Sequence, residues 1–240
     1  PFSSRQELGI RPYDNQVEQK KITSNNGFTK WRKENTNTFL FGLLVRPEKL
    51  ETADQFYTAV RTILNNQKGA KIAIMTKWTK ELTTIIKERG GLKKVWSQII
   101  QVPWMSESNF KLLYDIVDCY IDCWPMGSGL TAKIAMYKGI PYICKHDVQT
   151  IKSSSASGLS QFCQDIKGDY ISHGLCRNDE EYIRLALSVS QKGANYQILK
   201  NNQKKYVDDI RKILRVHGMT RDYIEIFQNE INDSSPIPID

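Results

Sequence analysis

The chain alternates short runs of consecutive apolar residues with longer stretches in which apolar residues recur at helical spacing. Runs of the first kind predict strands buried on both faces, and the second kind predicts amphipathic helices. Residues 1–37 stand apart, because they are polar, broken by Pro12, Asn25, Asn26 and Gly27, and too sparse in apolar side chains for a core of their own. An interdomain linker is expected there, with one helix over Thr29–Glu34. From Thr38 the texture changes. An apolar strand to Val45 precedes a helix over Thr52–Leu64, in which Phe56, Val60, Ile63 and Leu64 share a face. Lys71–Met75 reads as a second strand, Thr79–Arg89 as a helix stopped by Gly90 and Gly91, and Trp96–Val102 as a third strand.

The same alternation continues. Ser106 or Ser108 is placed to cap a helix reaching about Tyr114, and Tyr120–Trp124 and Pro141–Cys144 read as the fourth and fifth strands. Between them a helix runs from Leu130. Ser153–Gly158 is a low-complexity connector, Gly168–His173 a short sixth strand, and Asp179–Ser190 a helix. Two more helices are expected over Tyr196–Leu214 and Thr220–Asn229, and a disordered tail over 233–240. Strands regularly separated by helices define an α/β fold over 38–232, a Rossmann-like parallel sheet with helices on both faces.

One connection carries chemistry. Gly127-Ser128-Gly129-Leu130-Thr131 joins the fourth strand to its helix, and a glycine-rich turn at a helix start can hold a phosphate. The first helical N–H groups have no intrahelical partner, the helix dipole is positive at that end, and glycine lets an anion approach the main chain. Such a turn is also found as a tight connection with no ligand.

The longer stretch Gly127–Pro141 resembles the donor-binding half of GT-B glycosyltransferases. Retaining members of that superfamily, the family 4-type enzymes, carry a motif of the form E-G-F-G-L-T-x-L-E-A-M-x-x-G-x-P-V. Gly127, Gly129, Leu130, Thr131, Ala135, Met136, Gly139 and Pro141 stand in register with it. Phe110–Asp118 resembles the family's helix leading into the preceding strand. Phe39–Lys49 looks like its first strand and the following loop, which ends in a phosphate-binding lysine. The resemblance spans roughly 38–230 and implies a nucleotide diphosphate sugar as substrate, with no cofactor and no metal. It also implies that the Ser-rich connector faces the donor cleft, where it reads alternatively as a flap.

The departures carry information too. The motif's two glutamates, which hold the donor sugar and the ribose, are replaced by Met126 and Ile134. A carboxylate accepts hydrogen bonds from sugar hydroxyls, and neither a thioether nor a butyl group substitutes for it. The arginine usual after the first strand has no clean counterpart, since Leu43 occupies its place and Arg46 sits in a one-residue insertion. A looser similarity links the chain to O-GlcNAc transferase-like enzymes, which share the lysine and a proline-glycine loop like Pro125–Ser128.

Charge and cysteines narrow the class. The 240 residues carry 34 Lys+Arg against 26 Asp+Glu, a net of +8, which favours anions in general. The basic residues are scattered, and without an aromatic-basic platform or recognised binding module no nucleic-acid partner is expected. Five cysteines without a C-x-x-C pair make a zinc site an unfavoured reading and suit a reducing compartment, so a cytoplasmic location is expected. No apolar run approaches the roughly 20 residues of a membrane span. A full GT-B enzyme has two domains of this kind, so the acceptor half is expected on a second domain or a partner subunit. The opening at Pro1, without an initiator methionine, points to an excised fragment or a processed product.

The candidate site follows. Lys49 lies after the first strand, where an ammonium would neutralise a donor diphosphate as charge builds on the leaving group. The alternative is a solvated surface lysine. Arg46, the backbones of Gly127 and Gly129, the hydroxyls of Ser128 and Thr131, and Leu130 at the helix start complete the expected donor contacts. Trp104 follows the third strand and either stacks on the base or fills core or interface. His146, with Asp147, follows the fifth strand at the same edge and is the candidate for a catalytic role near the sugar, a solvated histidine being the other reading. Two functions are therefore in competition: a glycosyltransferase, or its donor-binding domain, acting on an unknown glycan, protein or lipid acceptor, and a glycosyltransferase-like binding subunit or scaffold without catalysis.

Overall fold

A computed structural model describes residues 27–103, 113–146, 159–160, 162–164 and 166–217. Six parallel strands form one sheet: β1 Phe39–Leu44, β2 Ala70–Thr76, β3 Ile99–Pro103, β4 Cys119–Ile121, β5 Tyr142–Lys145 and β6 Leu175–Cys176. Their order is β3-β2-β1-β4-β5-β6. This is the Rossmann order, and it reverses between β1 and β4, the point at whose carboxyl edge sheets of this order bind ligands.

The helices in chain order are α1 Gly27–Glu34, α2 Pro47–Glu51, α3 Asp54–Asn66, α4 Lys80–Thr84, α5 Leu130–Tyr137, α6 Asp179–Ser190 and α7 Ala194–His217. They cover both faces. The all-apolar strand β1 supplies both cores, with Phe39, Phe41 and Leu43 entering one beside Phe56, Val60, Ile63 and Tyr182. Leu40 and Leu44 enter the other, beside Val117, Tyr120, Met136 and Tyr142. That is the alternation a pleated strand imposes. Gly42, between them, is needed because a Cβ there would lie 2.8 Å from Val117 Cγ1.

The described part of the N-terminal segment is docked onto this sheet. Arg32 donates to both Asp118 carboxylate oxygens at 2.7 and 2.8 Å and to Thr38 O at 2.7 Å. Trp31 packs on the second core. Asp118 also accepts the Leu40 backbone N–H and pairs with Lys192, so the amino edge of the sheet is tied by charge.

Four expected elements are corrected, among them the fourth strand, which is Cys119–Ile121 and ends before Asp122 rather than at Trp124. The third strand starts at Ile99, because Lys93–Gln98 is a 3-10 turn. Within that turn the Gln98 side-chain amide donates to Leu64 O, Gln67 O and Ala70 O, which fixes it against α3 and the start of β2. The sixth strand is Leu175–Cys176, not Gly168–His173. Asp169 accepts from the Ile171 and Ser172 N–H groups and turns the chain, and Gly174, at φ 89°, sends it back into the sheet. Finally, the loop expected before Lys49 is the short helix α2, with Pro47 in its first turn, a position where proline's missing N–H loses no bond. The expected helix over Thr220–Asn229, the serine-rich connector and the 233–240 tail lie outside the described residues.

Candidate functional site

The segments leaving β1 and β4 meet at the carboxyl edge of the sheet. Arg46 is the exposed N-cap of α2, and Lys49, half-buried in the last turn of α2, donates from Nζ to Gly127 O at 2.6 Å. Two segments 78 residues apart are thereby joined at the carboxyl edge. Gly129 is the N-cap of α5 and offers no side chain to its first turn, where Leu130 and Thr131 stand. At the other end of α5, Gly139 adopts φ 75°, with its N–H on Met136 O and the Ile140 N–H on Ala135 O. This is the glycine-dependent helix ending that accounts for the motif's later glycine.

Beneath the loop lies a polar network. Asp122, only 2% exposed, follows β4 and receives the Ser128 backbone N–H at 2.8 Å on each oxygen. Ser128 Oγ donates to the same carboxylate at 2.7 Å, and Tyr142 donates its hydroxyl at 2.7 Å. The Asp122 carbonyl accepts from Tyr182 OH at 3.0 Å. Tyr120 OH lies 3.0 Å from Leu44 O, 3.0 Å from Ser128 Oγ and 3.2 Å from Thr131 Oγ1, while Tyr114 OH donates to Thr131 O. Burial pushes the Asp122 carboxyl above its ordinary range; the bonds from Tyr142 and Ser128 and the charge of Lys49 pull it back. All the donors in this cage suit a carboxylate, which accepts only.

Trp124 anchors the loop's base. Its ring packs edge-on against Phe56 and Tyr182, at 5.2 and 4.7 Å between centroids, and Lys145 Nζ sits 5.2 Å from its centroid while pairing with Asp179 at 2.7 Å.

Lys49, Gly127, Ser128, Gly129 and Thr131 are thus brought together, with Arg46 on the adjoining helix. The Ser128 hydroxyl and N–H face inward to Asp122. His146 is one strand along the same edge, half-buried, with its backbone N–H on Cys176 O at 2.7 Å. Trp104 and Asp147 lie outside the described residues. Met126 is 38% exposed beside the loop, whereas Ile134 is half-buried against the second core. Sequence reasoning missed Asp122 and its tyrosines. A carboxylate inside the apolar run Tyr120–Trp124 was the available signal, since such a group is buried only with partners. A separate groove between α3 and α6, lined by Thr62, Ile183, Arg184 and Leu187, contains no residue of these loops.

No family model matches the chain, and no curated protein matches it in sequence. Many solved structures share its fold. The Thermobaculum terrenum O-GlcNAc transferase, a mutant form, superposes with TM-score 0.50 and 16% identity over 78% of this chain and 36% of its own. Trehalose-6-phosphate synthase OtsA gives 0.59 and 10% over 92% and 50%. The pneumococcal O-GlcNAc transferase GtfA in complex with UDP and GlcNAc gives 0.54 and 13% over 78% and 36%. The chain shares the fold of one half of each of these structures, in agreement with the Rossmann-like α/β architecture expected. The chain spans about a third to a half of the length of these structures. Among the described residues no helix is long and apolar enough to cross a membrane.

Proposed function

We propose that the chain is the nucleotide-sugar-binding half of a GT-B glycosyltransferase, taking a nucleoside diphosphate between α2 and the Gly127–Thr131 loop. The observation that carries this reading is the Lys49 ammonium on Gly127 O at the strand-order reversal, beside a helix start whose cap has no side chain. An ammonium beside helix-start amides at one edge of the sheet suits a diphosphate. Lys49 would neutralise charge on the departing nucleotide, a contribution that grows in the transition state. Arg46 would add long-range attraction, His146 would approach the sugar, and Trp104 would stack on the base.

UDP is the first probe, because three of the solved structures with this fold hold UDP or UDP-2-fluoro glucose. The acceptor, whether glycan, protein or lipid, would be held by a second GT-B half or a partner subunit. A thermal-shift screen of the chain against UDP, ADP, GDP and their sugar conjugates tests the reading. A ligand at a hundred times its Kd raises stability by about 2.7 kcal/mol, and no shift with any of them contradicts it.

The exposed Met126 in place of the sugar-holding carboxylate favours a second reading, a binding subunit without transfer. Reconstitution with a candidate acceptor half separates the two: sugar transfer supports the enzyme, and nucleotide binding without transfer supports the subunit.

A further inference from the structure

The Lys49 and Asp122 contacts converge on a single peptide unit. Lys49 Nζ takes the carbonyl of Gly127, and the Asp122 carboxylate takes the N–H of Ser128, which belongs to the same peptide. The cis peptide among the described residues is Trp124–Pro125, so the Gly127–Ser128 unit is trans and its C=O and N–H point in opposite directions. Cation, peptide dipole and anion therefore stand in a line, each end charge-assisted. The peptide cannot turn without breaking both bonds, and the second bond from Ser128 Oγ to the carboxylate resists the same rotation.

We infer that Asp122 is a positioning residue for the diphosphate site: it holds the Gly127–Ser128 peptide so that the Gly127 carbonyl keeps the Lys49 ammonium at the mouth of the glycine-rich loop. The inference rests on the proposed nucleotide reading and deepens it. Asp122 is buried beneath the loop and its oxygens are occupied by Ser128 and Tyr142. It acts through Lys49.

The sign of one substitution separates positioning from simple charge. An anion under an anion site repels the ligand, so by charge alone Asp122→Asn would tighten UDP binding. As a positioning residue its loss weakens binding, because the neutral amide holds the Ser128 pair poorly and releases the peptide. The expected loss is about tenfold, the scale of one charge-assisted hydrogen bond. In a Lys49→Met background the same substitution produces no further loss, since the residue it acts through is gone.

The test is calorimetry of UDP with the wild type, Asp122→Asn, Lys49→Met and the double variant, together with hydrogen exchange at the Ser128 amide. Lys49→Met, which leaves Asp122 in place, is expected to speed exchange at that amide about tenfold, though Lys49 does not touch it. Arg32→Met loosens the opposite edge of the sheet and is expected to bind UDP as the wild type does. The inference is overturned if Asp122→Asn binds UDP as tightly as the wild type or more tightly. Multiplicative losses in the double variant, or an equal loss in Arg32→Met, overturn it as well. If the wild type binds none of UDP, ADP and GDP, the nucleotide reading fails. The hold on the peptide is then judged by exchange alone: faster exchange in Lys49→Met supports it, and unchanged exchange overturns it.

Discussion

Tyr142 donates its hydroxyl to Asp122 at 2.7 Å across adjacent parallel strands, and both groups are buried. This bond stabilises the carboxylate, yet burial outweighs it and the Asp122 pKa lies above its ordinary 3.8. The folded state therefore holds its proton to higher pH than the unfolded chain does. Stability falls as pH rises from about 3.8 through the raised folded value, because over that window the folded state binds more protons. Asp122→Asn removes the slope. Thermal melts of both proteins between pH 3.5 and 8 (about the range in which carboxyls titrate) are expected to show a difference that moves in the variant's favour as pH rises. A difference independent of pH would refute the assignment.

Arg32 and Asp118 form the corresponding tie at the amino edge, with side chains 21% and 10% exposed. Arg32→Met leaves the carboxylate to Lys192 and the Leu40 N–H. The expected loss is about 2 kcal/mol, a hydrogen bond to a charged group in a half-screened place, or about 4–8 °C in Tm. Melts check the magnitude. A change under about 0.5 kcal/mol would show that helix α1 is not held by this pair.

Donor specificity is the next expectation. Met126 and Ile134 stand where the resembled motif has its sugar- and ribose-holding glutamates, and neither side chain accepts a hydroxyl. The phosphates and base then supply most of the affinity. UDP and its sugar conjugates are expected to bind within a span of about 1–3 kcal/mol, the range over which an apolar pocket discriminates. Competition calorimetry with several UDP-sugars, alongside Ile134→Glu, checks this. Preference for one sugar by about a thousandfold or more would show that other residues hold the sugar.

What could be read from the sequence was local. Strand β1 is an unbroken apolar run and was found within a residue at each end, and α6 was found with the bounds Asp179–Ser190. That helix announces itself: Asn178 caps the Glu181 N–H, and Glu181 reaches back to the Arg177 N–H. The misplaced sixth strand is two residues long, shorter than any periodicity can reveal, and depends on the left-handed turn at Gly174. Lys49 and the Gly127 loop were legible as parts of one expected phosphate site. Their contact was not, because it spans 78 residues and depends on the order of the strands. Asp122 stayed hidden for the same reason, since its partners Ser128, Tyr142 and Tyr182 are brought together only by the sheet.

The central claim is that Lys49 and the Gly127–Thr131 loop form a diphosphate site, and titration of UDP into the wild type and Lys49→Met by calorimetry addresses it directly. Loss of a charge-assisted hydrogen bond of about 1.5–3 kcal/mol predicts roughly ten- to a hundredfold weaker binding in the variant, with the fold unchanged by circular dichroism. Equal affinity in the two proteins would remove Lys49 from the site, and the absence of binding in the wild type would contradict the nucleotide reading itself.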